Sequence, residues 1–311
     1  MTKITFKFIK IIKMMLAIFV LLTSARNVDA ATINYLTNPG PSLNKLYFAP
    51  PNYNGSLYGS VGLLGPTPFW YIAQWNIPVM LSGTAIPTGV GYGWYTDDPY
   101  ARVLRYDDTN KSLELAQNGA TTNLTCGTEF DLFLSPVDSS YSSYNQGIIQ
   151  GPSLNTLTSL RYTLGSKITY EYIAIRCPVN YAYYTAVIVF SNPTTQQVIF
   201  YQIILRDSWQ GYANYACSPS TYWFSTNGPF FGVNDTAPVL GQSCLPASGI
   251  LYNYSFEIAS RIKTLIIQGA KYYIDQDLGH WFVSGLYIGS GLEGSATVTS
   301  IYSSINLVGA Q

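Results

Sequence analysis

From Phe282 the chain reads Phe-Val-Ser-Gly-Leu-Tyr-Ile-Gly-Ser-Gly-Leu-Glu-Gly294, then Ala296-Thr-Val-Thr-Ser-Ile301. Apolar and polar residues alternate between glycine turns. A period of two puts all the apolar side chains on one side only in an extended strand. Such strands must bury that side against a second layer, so this segment limits the chain to a layered β architecture.

The rest of the chain agrees. Phe69-Trp-Tyr-Ile-Ala-Gln-Trp75 is aromatic enough for a strand packed on both faces, and Gly89-Val-Gly-Tyr-Gly-Trp94 reads as a strand in close backbone contact. A nucleotide-binding glycine loop would open a helix, but Thr96-Asp-Asp-Pro99 follows. Val103 to Leu115 is a hairpin turning at Asp107-Asp-Thr-Asn110, with Asn118-Gly119 as the next turn. Glu129 to Leu134 and Lys167 to Arg176 read as further strands. Tyr181 to Phe190 and Gln197 to Leu205 are nearly continuous apolar runs, as expected for a central hairpin buried on both faces. Residues 206–250 are turn-rich and expected to form a binding loop carrying Trp209 and Trp223. Tyr254 to Gln268 is ambiguous. Ile258, Ile262 and Ile266 fit a helical stripe as well as a strand, and the surrounding β signals favour strand.

The first thirty residues stand apart. Lys3, Lys7, Lys10 and Lys13 precede an apolar run from Met14 to Ala25, and Val28-Asp-Ala30 offers a cleavage site. The run is well short of the roughly twenty residues that span a bilayer. The expectation is a signal peptide over 1–30, export, and no transmembrane segment after cleavage. What remains, 31–311, is one β-sandwich domain; the alternative is a subdivision near 150, where Gly40-Pro-Ser-Leu-Asn44 recurs as Gly151-Pro-Ser-Leu-Asn155.

Composition narrows the partners. Charged residues are only 10% and apolar residues 48% of the 311, which excludes disorder. Beyond residue 30, eleven Lys and Arg face fifteen Asp and Glu, a net charge of −4. Nucleic acid finds no basic footprint there. Cys126, Cys177, Cys217 and Cys244 read as two disulfides in an exported chain, with three pairings open. No CxxC pair and no second histidine exists, so zinc is not expected. Sequons at Asn54, Asn110, Asn123, Asn234 and Asn253 allow a glycoprotein, although roughly three or four would arise by chance. Asp97-Asp98, Asp107-Asp108 and Asp275-Gln-Asp277 hold oxygen ligands that suit a structural calcium, against the plainer role of stabilising turns.

A single histidine and no nucleophile elbow exclude a hydrolytic triad. Two carboxylates remain the route to catalysis. Alternation puts Glu129 and Asp131 on one strand face, about 6.5–7 Å apart. The closing segment resembles the last strands of concanavalin-type β-jelly-roll proteins that bind or act on sugars. Glu129-Phe-Asp131 is similar to the acidic strand of laminarinase-type hydrolases in that group, but Phe133 and Leu134 stand where their third acid is needed. Ser290-Gly291-Leu292 looks like the closing catalytic strand of jelly-roll endoglucanases, with Glu293 displaced to an expected turn. Glu171 and Glu257 are further acids on predicted strands.

The resemblance implies an antiparallel β-sandwich or jelly roll, secreted, with a glycan or polysaccharide as partner. The leading expectation is lectin-like binding through Trp209, Trp223, His280 and Trp281, residue types that stack on sugar rings. The alternatives are a glycoside hydrolase or lyase using Glu129 and Asp131, and a secreted structural or effector protein that binds another protein.

Overall fold

The computed structural model describes residues 31–36, 46–48, 70–75, 81, 86–89, 91–95, 102–107, 109–110, 112–119, 129–136, 151–173, 181–208, 222–225, 229–235, 245 and 248–311. The expected signal peptide, all four cysteines and Trp209 lie outside the described residues.

Sixteen strands occur among the described residues. They are β1 (Thr32–Asn34), β2 (Leu46–Phe48), β3 (Trp70–Trp75), β4 (Ile86–Pro87), β5 (Gly91–Tyr95), β6 (Arg102–Asp107), β7 (Ser112–Asn118) and β8 (Glu129–Pro136), then β9 (Ser159–Ile173), β10 (Tyr181–Asn192), β11 (Gln197–Asp207), β12 (Tyr222–Ser225), β13 (Phe230–Asn234), β14 (Tyr252–Glu257), β15 (Phe282–Glu293) and β16 (Ala296–Ala310). They form two sheets, ordered β14-β9-β16-β7-β6-β5-β4, with β1 also on β16, and β12-β13-β11-β10-β15-β8-β3-β2. Both sheets take strands from either side of residue 150. Pairing is antiparallel apart from β2 with β3 and β11 with β13. The molecule is all-β, a two-sheet sandwich.

Alternation builds the core. Leu113 and Leu115 of β7, Leu160, Tyr162 and Leu164 of β9, and Val298 and Tyr302 of β16 point inward from the first sheet. Leu132 and Leu134 of β8, Ile199, Tyr201 and Ile203 of β11, and Leu286 and Ile288 of β15 join them from the second in one cluster. β10 is buried on both faces, as its continuous apolar run requires. Ala186, Ile188 and Phe190 enter the core, while Val187 and Val189 pack with Phe133 and Tyr287 on the opposite face.

The strand expected through Ile258 and Ile266 is instead a helix, α1 (Ala259–Gln268). Ala259, Ile262, Leu265 and Ile266 are its buried residues. Leu265 fits only the helical period, and the exposed Ser260 and Thr264 occupy positions a strand would have buried. Glu257 has no site role here: its carboxylate accepts from the Leu160 amide at 2.8 Å and the Ser159 hydroxyl at 2.5 Å. The turn-rich stretch from 206 to 250 also holds two strands, β12 and β13, that extend the second sheet.

Polar groups tie the two sheets together. The Gln117 amide donates across the sandwich to the Ser290 carbonyl at 2.8 Å. Arg206 of β11 donates to Glu171 of β9 through Nε at 2.9 Å and Nη2 at 2.7 Å, with both side chains nearly buried. This fork satisfies two charges that the interior would otherwise penalise. Removing one partner leaves the other charge uncompensated. We therefore expect Arg206→Met to lower stability by about 3–5 kcal/mol. Urea unfolding checks this, and Arg206→Met with Glu171→Leu should recover part of the loss.

Candidate functional site

Three of the acids singled out from sequence, Glu129, Asp131 and Glu293, fall at one end of the second sheet, whereas Glu171 and Glu257 belong to the first. Antiparallel pairing of β8 with β15 sets Glu129 opposite Glu293 and Asp131 opposite Gly291. Pairing of β15 with β10 sets Glu293 opposite Tyr181 and Gly291 opposite Tyr183. Opposite positions in an antiparallel ladder share a face, with Cβ atoms about 4.5–5.5 Å apart. Three carboxylic residues and two tyrosines thus fall on two adjacent rungs.

The inner rung is closed. Asp131 is only 8% exposed, and the Tyr183 hydroxyl donates to its Oδ1. To reach Asp131 the ring lies across Gly291, where a Cβ would meet ring atoms at 2.3 Å. Glycine at 291 is therefore a steric requirement of this contact. Tyr181 stands beside Tyr183, with ring centroids 6.0 Å apart. Further along the same face come Phe133, Val187, Val189 and Tyr287, all nearly buried. The acids stand at the end of this face, clear of its apolar centre.

Glu293 was expected in a turn, but it is the last paired residue of β15 and half-buried. The turn follows at Gly294, whose φ of 70° suits glycine. Like charges set directly opposite cost stability in a sheet. A Glu–Glu rung is thus unfavourable for folding alone.

The aromatic candidates are placed differently. Trp281 has 0% exposure and donates its indole N–H to the Asp275 carbonyl at 2.8 Å, so its ring is core and offers no stacking face. Trp223 is half-buried between β12 and the turn at 269–272, packed against Tyr272 at 5.7 Å between centroids. His280 is partly exposed, but its Nδ1 is 2.7 Å from Asp275 Oδ2 and its Nε2 is 3.5 Å from Asp277 Oδ2. Asn192, at the tip of the β10–β11 hairpin, donates to the same Asp275 oxygen at 2.8 Å.

The described aspartates among the calcium candidates serve turns, while Asp97, Asp98 and Asp108 lie outside the described residues. Asp277 accepts from the Gly279 amide at 2.8 Å, and Asp107 accepts from the Thr109 and Asn110 amides at 2.9 Å each. No group of three His, Cys, Asp or Glu suited to a metal occurs among the described residues. Of the sequons, Asn110 and Asn253 are exposed, whereas Asn234 is fully buried.

The hydrogen bond to Asp275 raises the His280 pKa above its usual value, and the Asp277 and Asp275 charges add to this. The Asp277 amide, then His280, lower the Asp275 pKa. His280 thus adds to stability below about pH 6.5, and loses that contribution as pH rises through its raised folded value. Asp275 contributes above about pH 4 and loses its contribution as pH falls through its lowered value. This corner is firmest between those limits. With one histidine in the chain, an NMR titration reads it directly. The imidazole should titrate above 6.5, and Asp275→Asn should bring it down.

Comparison with known proteins gives little by sequence. No protein-family model matches the chain. No curated protein matches it. Among solved structures it is similar to an endoglucanase from Rhodothermus marinus at 10% identity and a TM-score of 0.38, over 73% of this chain and 95% of that one. A family 12 xyloglucanase from Bacillus licheniformis gives 9% and 0.39, over 77% and 100%. A family 11 xylanase from Neocallimastix patriciarum gives 9% and 0.35, over 73% and 90%. Likeness at this level assigns neither a residue nor an activity. No helix among the described residues is long and apolar enough to cross a membrane.

Proposed function

We propose that this is an exported carbohydrate-active β-sandwich protein of the glycoside-hydrolase kind, with Glu129 and Glu293 as its acid pair. One observation carries the reading: the register that sets these two glutamates opposite each other on adjacent strands. A retaining glycosidase needs two carboxyl groups about 5–5.5 Å apart, close to the Cβ spacing of a directly opposed pair. One group would protonate the leaving oxygen while the other attacks the anomeric carbon, and water would then release the sugar. Asp131, held by Tyr183, lies on the next rung of the same face.

The reading departs from lectin-like binding through Trp223, Trp281 and His280, while Trp209 lies outside the described residues. Trp281 is buried, Trp223 packs against Tyr272, and both ring nitrogens of His280 face carboxylates.

Reducing-sugar release from soluble β-glucan, xyloglucan and xylan is the test. Glu293→Gln and Glu129→Gln should each lower release by roughly 10²- to 10⁴-fold, the usual contribution of a general acid or base. Both variants should melt no lower than the parent, because each removes one member of a like-charged rung. Release that survives both substitutions would sink the proposal.

A further inference from the structure

The outer face of the first sheet holds a separate concentration of polar and aromatic groups. There β6, β7, β16 and β9 border a depression of about 380 Å³, within the range of small-ligand sites, about 300–1,000 Å³. Val103 and Ala116 give it an apolar floor, and Asn118, Thr297 and Thr299 contribute polar walls. Arg105 and Glu114 stand directly opposite each other and form an ion pair, so this wall carries no net charge. The Thr297 hydroxyl donates to Asn118 Oδ1 at 2.9 Å.

Two tyrosines flank this wall in register. Tyr170 is opposite Thr299, and Tyr172 is opposite Thr297. They remain 53% and 54% exposed. Two residues apart on one strand, they present rings about 6.5–7 Å apart on the same face. Burial does not account for them, and exposed aromatics beside polar groups are the composition of a binding surface.

The chemistry selects the ligand. An ionic ligand gains no net field from a closed Arg–Glu pair, and an apolar one would strand threonine hydroxyls and the ion pair without water. A neutral ring bearing hydroxyls around its edge and C–H groups on its face satisfies both parts. We infer that this face is a glycan-holding site for neutral oligosaccharides, separate from the acid pair on the other sheet. The ligand class rests on the proposed activity; the residues do not.

Affinity electrophoresis of the full chain in gels containing hydroxyethylcellulose, xyloglucan or arabinoxylan tests it. At least one polysaccharide should retard the protein. The double variant Tyr170→Thr with Tyr172→Thr should lose that retardation at least fivefold, yet still release sugar from a short soluble oligosaccharide. Thr299→Val keeps the shape and removes only a hydroxyl, so it should weaken retardation even if the double variant folds poorly. Glu293→Gln should be retarded like the parent while its sugar release falls by roughly 10²- to 10⁴-fold. Retardation that depends on Tyr170 and Tyr172 without any sugar release would support this site and overturn the hydrolase reading. A double variant and Thr299→Val both retarded like the parent, or a parent that no polysaccharide retards, would overturn this site.

Discussion

The two sheets of this sandwich are joined by consecutive strands, β15 and β16, that meet at a tight corner and lie one in each sheet. β15 runs between β10 and β8 at the middle of the second sheet, and β16 runs between β9 and β7 in the first. The turn at Gly294 carries the chain from one layer to the other. Space there is tight: a Cβ on Gly119 would meet the Gly294 carbonyl at 2.1 Å. The same strand pair sets the two registers on which the proposed sites rest. Through β15 it brings Glu293 opposite Glu129, and through β16 it lines Thr297 and Thr299 against Tyr172 and Tyr170. A slip of one residue in either strand would reverse every side chain.

The two outer faces follow different rules. On the second sheet the face is apolar at its centre and acidic at one end, and one of the acids, Asp131, is held by a tyrosine that only a glycine neighbour admits. On the first sheet the groups along β16 are uncharged, and the ion pair beside them is closed. Between the sheets the Glu171–Arg206 fork and the Gln117–Ser290 contact lock the layers at fixed positions. These contacts specify alignment more than they add stability, since a buried ion pair roughly offsets its own desolvation.

Much of this architecture is legible from local sequence. The hairpins at 103–115 and 181–205 and the strands of 282–301 follow from alternation and turn residues, because each strand and its turn lie close together in the chain. The helix at Ala259–Gln268 is harder to see, since Ile258, Ile262 and Ile266 satisfy both periods and only Leu265 separates them. The acid pair is harder still. Glu129 carries a signal, but its partner is set by a register between strands distant in sequence, and the end of β15 depends on that partner. The same reason hides the structural role of His280, whose anchor includes Asn192 from another hairpin. Tyr170 and Tyr172 sit in a segment read as a strand, but their outward direction depends on the bulge where β9 meets β16.

The position of this strand pair in the chain also orders assembly. β7, β8, β9 and β10 all precede it, and each keeps an unpaired edge until β15 and β16 arrive. Neither layer can complete its middle before the last strands are available, so closure is a late event between distant partners. During that interval the exposed edges invite pairing with other chains. Such a chain is most exposed to misassembly when its final strands are delayed.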